Sequence, residues 1–235
     1  MKTFNSTEKG HVMKNNATLV KGALTGLVAM AGLVAYSSPA QALTPEGMLA
    51  RGGQLYDWYY QITEGDVMKK THVSMPADSG KTGKKTWRCS QCHGFNYAGD
   101  LGLPGITGAT GKSADEIIAI LRDAKHNYTD DIFTETDFKS LATFVAKGVT
   151  DVSKLTGDAA KGQGYFETVC AACHGLDGKK ITDMPPVGAV VNKLPDRSLH
   201  RIRFSKPGDS MPALSALPLD VAVDVWSYTK TLPQE

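Results

Sequence analysis

Cysteine is scarce in this chain of 235 residues: there are four, and none lies outside two short runs. None is left over for a further role. Long hydrophobic runs are also missing. The longest apolar stretch, Gly22 to Tyr36, has 15 residues, short of the about 20 that a membrane-spanning helix needs. Neither sign of charge dominates. The 26 Lys and Arg against 24 Asp and Glu give a formal net charge of +2, which argues against a basic nucleic-acid surface. No segment alternates apolar and polar residues in the manner of a strand, so the reading is all-α. Methionine is absent from the whole interval between His93 and Met184.

The four cysteines stand in Cys89-Ser90-Gln91-Cys92-His93 and Cys170-Ala171-Ala172-Cys173-His174, both of the form Cys-x-x-Cys-His. That spacing is the attachment signature of c-type haem. Each sulfur adds across one vinyl group of the porphyrin, and the adjacent histidine lies under the ring and coordinates the iron. Two motifs imply two covalently bound haems. Cys89, Cys92, Cys170 and Cys173 are then the attachment points, and His93 and His174 the fifth iron ligands. A zinc site of four thiolates does not explain why a histidine follows each pair. A thioredoxin-like redox pair belongs in a βαβ setting and is not duplicated with histidine attached.

The first 42 residues read as an export leader. Lys2, Lys9, Lys14 and Lys21 make it positive, the apolar stretch follows, and Ala40-Gln41-Ala42 supplies a small-x-small cleavage site. An uncleaved anchor is the alternative, and Met13 is a candidate for the true start. Haem is attached after translocation, so export places the mature protein in a bacterial periplasm. Residues 43–235 are 193 residues, enough for two small domains. The leader carries a net +3, which leaves the remainder at −1. No other segment is long and apolar enough to span a bilayer.

The mature part reads as an imperfect repeat. Ala50-Arg51-Gly52-Gly53-Gln54-Leu55-Tyr56 resembles Ala160-Lys161-Gly162-Gln163-Gly164-Tyr165-Phe166, which runs into the second motif. Cys170 lies 8 residues after Gly162, whereas Cys89 lies 37 after Gly52. The first half therefore carries an insertion at about 61–88. Its Lys69, Lys70, Lys81, Lys84 and Lys85, with Gly80 and Gly83, read as a surface loop; a docking surface or a cover over one haem edge is the functional alternative. Pro104 and Pro185 each lie 11 residues after the motif histidine. Ser113-Ala114-Asp115-Glu116 is a capping box opening a helix through Ile117, Ile118 and Leu121. Asp196 can start the matching helix, with Leu199, Ile202 and Phe204. Phe138, Leu141, Phe144 and Val145 mark a last helix in the first half; Val221, Val225, Trp226 and Tyr228 mark one in the second. The boundary falls near 148–156, giving domains of 43–150 and 151–235.

This order of helix, Cys-x-x-Cys-His, proline loop, ligand loop and terminal helix resembles the small class I cytochrome c fold, here in tandem. The resemblance covers nearly all of 43–235, and the first half departs from it in the insertion and in the sixth ligand. Thr86-Trp87-Arg88-Cys89 with His93-Gly94-Phe95-Asn96-Tyr97 is also similar to a family of exported dihaem cytochromes. The resemblance implies two helical domains, each around one covalent haem. It implies that each motif histidine donates its second ring N–H to a carbonyl of the proline loop, near Pro104 and near Pro185-Pro186. Gly208-Asp209-Ser210-Met211-Pro212 looks like the family's methionine loop, which makes Met211 the sixth ligand of the second haem, with Met184 as competitor.

The first half has no methionine loop. At the equivalent place stands His126, 33 residues after His93, which points to a bis-histidine iron. His72 and Met75 in the insertion are its rivals, and an open coordination site is the remaining alternative. His200, Arg201 and Arg203 precede the second ligand loop, where a cation can pair with a haem propionate or simply face solvent. The functional expectation is a periplasmic electron carrier rather than an enzyme. Its partners are a redox donor and a redox acceptor, with a membrane redox complex among the candidates and no nucleic acid. The alternative is a cytochrome subunit, or a catalytic dihaem oxidoreductase acting on a small inorganic substrate such as a sulfur compound. The absence of a spare cysteine ligand speaks against the catalytic version.

Overall fold

The computed structural model describes residues 43–235; the expected leader, residues 1–42, lies outside them. The Thr44 hydroxyl accepts from the Gly47 N–H at 3.1 Å, and Pro45 fills the first helical position, where a missing N–H costs nothing. Helix α1 (Pro45–Trp58) is followed by the insertion, then α2 (Cys89–His93), α3 (Ala114–Leu121) and α4 (Glu135–Thr143). One π turn, Phe144–Gly148, prolongs α4. The second half holds α5 (Ala159–Tyr165), a π turn Phe166–Cys170, α6 (Ala171–His174), α7 (Val187–Lys193), α8 (Pro195–Phe204) and α9 (Leu219–Thr229). Among the described residues there is no strand, and no helix is long and apolar enough to cross a membrane. Ser113 and Glu116 form the capping box at the head of α3. Thr134 and Asp137 form a second one on α4. The usual signature has Glu or Gln at that third position, so the aspartate hides it.

The two repeated glycines have a common physical cause. A Cβ on Gly52 would stand 2.0 Å from the Ser140 carbonyl oxygen, and one on Gly162 would stand 2.0 Å from the Asp224 carbonyl oxygen. Helix α1 therefore crosses α4, and α5 crosses α9, with backbones in direct contact. No residue with a side chain fits at either crossing. Each motif also ends on a glycine. Gly94 has φ 69° and ψ 166°, and Gly175 has φ 77° and ψ 160°, a region open essentially to glycine alone. That turn stops the helix directly after the iron-binding histidine.

The halves share a core. Leu55, Tyr56, Phe144, Leu199, Phe204 and Trp226 belong to one buried cluster, and full burial of a large apolar side chain contributes about 1.5–3 kcal/mol. Helix α1 lies against α8 as well as α4, with Gly53 pressed on the Phe204 ring. His200 of α8 is buried here. Its Nε2 donates to the Gly53 carbonyl at 2.8 Å, and its Nδ1 accepts from the Tyr97 hydroxyl at 2.8 Å. Beside it, the fully buried Asp57 pairs with Arg88 at 2.6 Å and with Arg201 at 2.8 Å. Burial alone would push the Asp57 carboxyl up. The Arg201 and Arg88 charges outweigh it and hold the group below its ordinary value. Arg201 thus faces a carboxylate rather than solvent, and His200 serves the seam between the halves.

The insertion is not simply a solvated loop. Lys69, Lys70, Lys84 and Lys85 are exposed as their charge dictates, but His72, Met75, Thr86 and Trp87 are buried. The segment forms short 3-10 turns at Ala77–Ser79 and Gly83–Trp87. Few apolar residues mark it, because polar side chains that bond backbone do most of the internal fastening.

Candidate haem centres

Helix α2 is a single turn carrying Cys89, Cys92 and His93 on the wall of a cavity of about 440 Å³. Leu103, Ile106, Ile117, Leu121, Leu141 and Val145 supply its apolar lining, and His126 stands at its margin. This is the makeup of a cofactor pocket, apolar with few placed polar groups. The Cys89 thiol is buried near the Tyr128 hydroxyl, and burial pushes it up to about 12. Among the described residues no three His, Cys, Asp or Glu side chains gather as a metal site, so the two cysteine pairs do not combine into a four-thiolate centre.

The ring centroids of His93 and His126 lie 6.1 Å apart, with planes 23° from parallel. Two metal–imidazole bonds of about 2 Å, with roughly 1 Å from each bonding nitrogen to its ring centre, span about 6 Å. The observed centroid spacing matches that of two imidazoles sharing one metal ion through in-plane nitrogens. Both Nδ1 atoms are already engaged on the protein side. His93 Nδ1 donates to the Pro104 carbonyl at 2.7 Å, and His126 Nδ1 meets Asp123 Oδ1 at 3.1 Å. Each ring keeps Nε2 for a metal, with an outer partner that fixes the tautomer and raises donor strength. Burial also pushes the His93 imidazole down, which keeps it neutral and able to ligate. The residues present fit a haem here.

His72, one rival of His126, lines the same cavity, but both its ring nitrogens are taken. Nδ1 accepts from the Ser74 N–H at 3.1 Å, and Nε2 donates to the His126 carbonyl at 2.8 Å. Met75 is buried and does not line the cavity.

The second motif sits at the junction of the π turn and α6. Cys170 is partly buried against the core and Cys173 is exposed. His174 is partly buried, and burial pushes it down while the Asp209 carboxylate pulls the other way. Asp209 lies two residues before Met211, so the ligand loop is near enough for its charge to act on the motif histidine. That loop is fixed from behind. The Ser205 hydroxyl donates to the Met211 carbonyl, Lys206 pairs with Asp209 at 2.7 Å, and Leu214 N–H bonds the Ile202 carbonyl at 3.1 Å. Met211 packs at the edge of the core, whereas Met184 is exposed. The anticipated partner near Pro185-Pro186 differs from its counterpart: among the described hydrogen bonds His93 reaches Pro104, and the His174 ring has no equivalent. Lys180 N–H instead holds the His174 carbonyl at 2.9 Å, fixing the backbone and not the ring.

Helices, a Cys-x-x-Cys-His turn and a methionine loop on one small core define a c-type haem domain, and comparison agrees for the second half. Residues 159–213 match the family described as Cytochrome c, a span that includes Cys170, Cys173, His174 and Met211. A covalent c-type haem and electron-transfer chemistry go with that family. Among curated proteins, the chain is similar to the Cbb3-type cytochrome c oxidase subunit CcoP of Rhodobacter capsulatus, 27% identical over 129 residues, covering 48% of this chain and 43% of that protein. It is also similar to the subunit of the same description from Cereibacter sphaeroides, 30% identical over 115 residues, covering 41% and 39%. The chain thus spans about two fifths of the length of these relatives.

Proposed function

We propose that this protein is a periplasmic dihaem c-type cytochrome that carries electrons between redox proteins. It is built as two tandem cytochrome c-like domains, residues 43–150 and 151–235. The observation that carries the reading is the His93–His126 pair, 6.1 Å apart across an apolar cavity walled by Cys89 and Cys92. Support for the tandem comes from the paired glycine crossings at Gly52 and Gly162 and the paired motifs that each end on glycine. Covalent haem supplies a reversible one-electron couple whose potential follows its axial donors and burial. His93 and His126 would hold one iron, and His174 and Met211 the other. No coordination position is then left for a substrate, and the two unlike donor sets make two unlike potentials. A thioether favours reduced iron more than imidazole does.

A second reading concerns the partner. The similarity to oxidase subunits favours a membrane redox complex, with this chain delivering electrons to it or forming part of it. Contacts of this kind are small and weak. Denaturing mass spectrometry of the exported protein tests the core of the proposal. The expected mass is the 43–235 chain plus two haems, and Cys89→Ala with Cys92→Ala removes one. A mass equal to the bare chain contradicts it.

A further inference from the structure

The insertion at 61–88 has no counterpart in the second half, and its buried side chains converge on one place. His72 Nε2 donates to the His126 carbonyl at 2.8 Å, and the Ser74 hydroxyl donates to the Lys125 carbonyl at 2.6 Å. Two residues of the insertion therefore grip two consecutive carbonyls of the loop that carries His126. The grip is oriented. Ser74 N–H bonds His72 Nδ1 at 3.1 Å, which leaves the proton on Nε2 for His126.

The grip is also anchored. His72 N–H bonds Thr86 Oγ1 at 2.9 Å, and the Thr86 hydroxyl bonds the Gly83 carbonyl at 2.6 Å. Trp87 packs edge-on against the His72 ring, 4.5 Å between centroids, and its indole N–H bonds the Lys70 carbonyl at 2.7 Å. From the other side the Tyr128 hydroxyl bonds the Trp87 carbonyl. Trp87 lies two residues before Cys89, so the anchor reaches the attachment motif itself. The His126 loop lies between α3 and α4, outside either helix. Lys125 and Asn127 are exposed, and Asn127 has φ 52°. Its own fastening is local, chiefly the Asp123 carboxylate accepting from Lys125 and His126 N–H at 2.9 Å each.

We propose that the insertion is a strap that holds His126 on the first iron and so keeps that centre closed to external ligands, with His72 and Ser74 as the positioning residues. The inference rests on the reading of His126 as sixth ligand. Dissociation of that ligand requires the loop to swing out, and the strap makes the swing break two hydrogen bonds at once. Without it the open form gains population, on the order of tenfold for loss of the part-buried His72 bond.

The test uses the reduced holoprotein and carbon monoxide, with the low-spin bis-imidazole resonance of the oxidised protein read in parallel. The wild type is expected to show that resonance and negligible carbon monoxide binding. His72→Ala is expected to make one haem per chain reactive, with at least a tenfold rise in the reactive fraction. Ser74→Ala, the milder variant, moves the same way. His72→Gln keeps an N–H near the Nε2 position and is expected to restore closure. The near-infrared thioether band of the second haem stays unchanged throughout. If the wild type shows the resonance and the folded His72→Ala and Ser74→Ala proteins remain unreactive, the strap is overturned and the ligand reading stands. If the wild type lacks the resonance, His126 is not the ligand and the strap falls with it.

Discussion

His200 and Gly53 stand 147 positions apart in the chain and share a hydrogen bond of 2.8 Å. The bond joins α8 to α1, with Nε2 donating to the Gly53 carbonyl and Nδ1 set against the Tyr97 hydroxyl. Burial pushes His200 down to about 4. An unfolded histidine titrates near about 6.5. Between these values the unfolded chain binds the extra proton, so stability falls as pH drops from about 6.5 to about 4 and this contribution levels off below. The contribution is on the order of a few kcal/mol. Urea unfolding at pH 7 and pH 4.5 is expected to lose most of that in wild type. His200→Gln is expected to be less stable at pH 7 and to show a smaller loss. An equal pH loss in both proteins contradicts the assignment.

Gly52→Ala and Gly162→Ala are expected to destabilise separately, each through collision of a Cβ with a carbonyl oxygen 2.0 Å away. Overpacking of this kind costs about 1–3 kcal/mol, and backbone cannot rotate aside as a side chain does. Thermal melts followed by circular dichroism check it. Gly164→Ala is the control, because nothing lies within 4 Å of a Cβ there, and its melting temperature is expected to hold.

Much of this was legible in the sequence because its causes are local. Ser113 and Glu116 announce their own helix, and Gly52 and Gly162 stand out by repetition, while a Cys-x-x-Cys-His run names the atoms that would take haem. The proposal of His126 as a ligand comes from its place in the repeat and from the missing methionine, and the structure sets its ring 6.1 Å from that of His93. The strap was not legible. His72 meets His126 across 54 positions and Ser74 meets Lys125 across 51, and the lysines and glycines around them carry the composition of a solvated loop. The second capping box was hidden by Asp137 in place of glutamate. The role of His200 was hidden because a histidine beside two arginines looks like an exposed cationic face until α1 is laid against α8.

Met211→Ala is expected to abolish the near-infrared thioether-to-iron band and to lower the potential of one haem only. A fall of more than about 59 mV, a tenfold change for one electron, is the expected scale. Persistence of the band moves the assignment to Met184 or Met75.

The proposed pairing gives the two haems unlike ligands, His93 with His126 and His174 with Met211. A potentiometric titration of the holoprotein tests it most directly. Two one-electron steps are expected, separated by more than about 59 mV, with the lower step belonging to the first haem because imidazole stabilises oxidised iron more than a thioether does. His126→Met is expected to narrow the gap by raising the lower step. A His126→Ala protein that keeps both steps and the bis-imidazole resonance of the wild type contradicts the account.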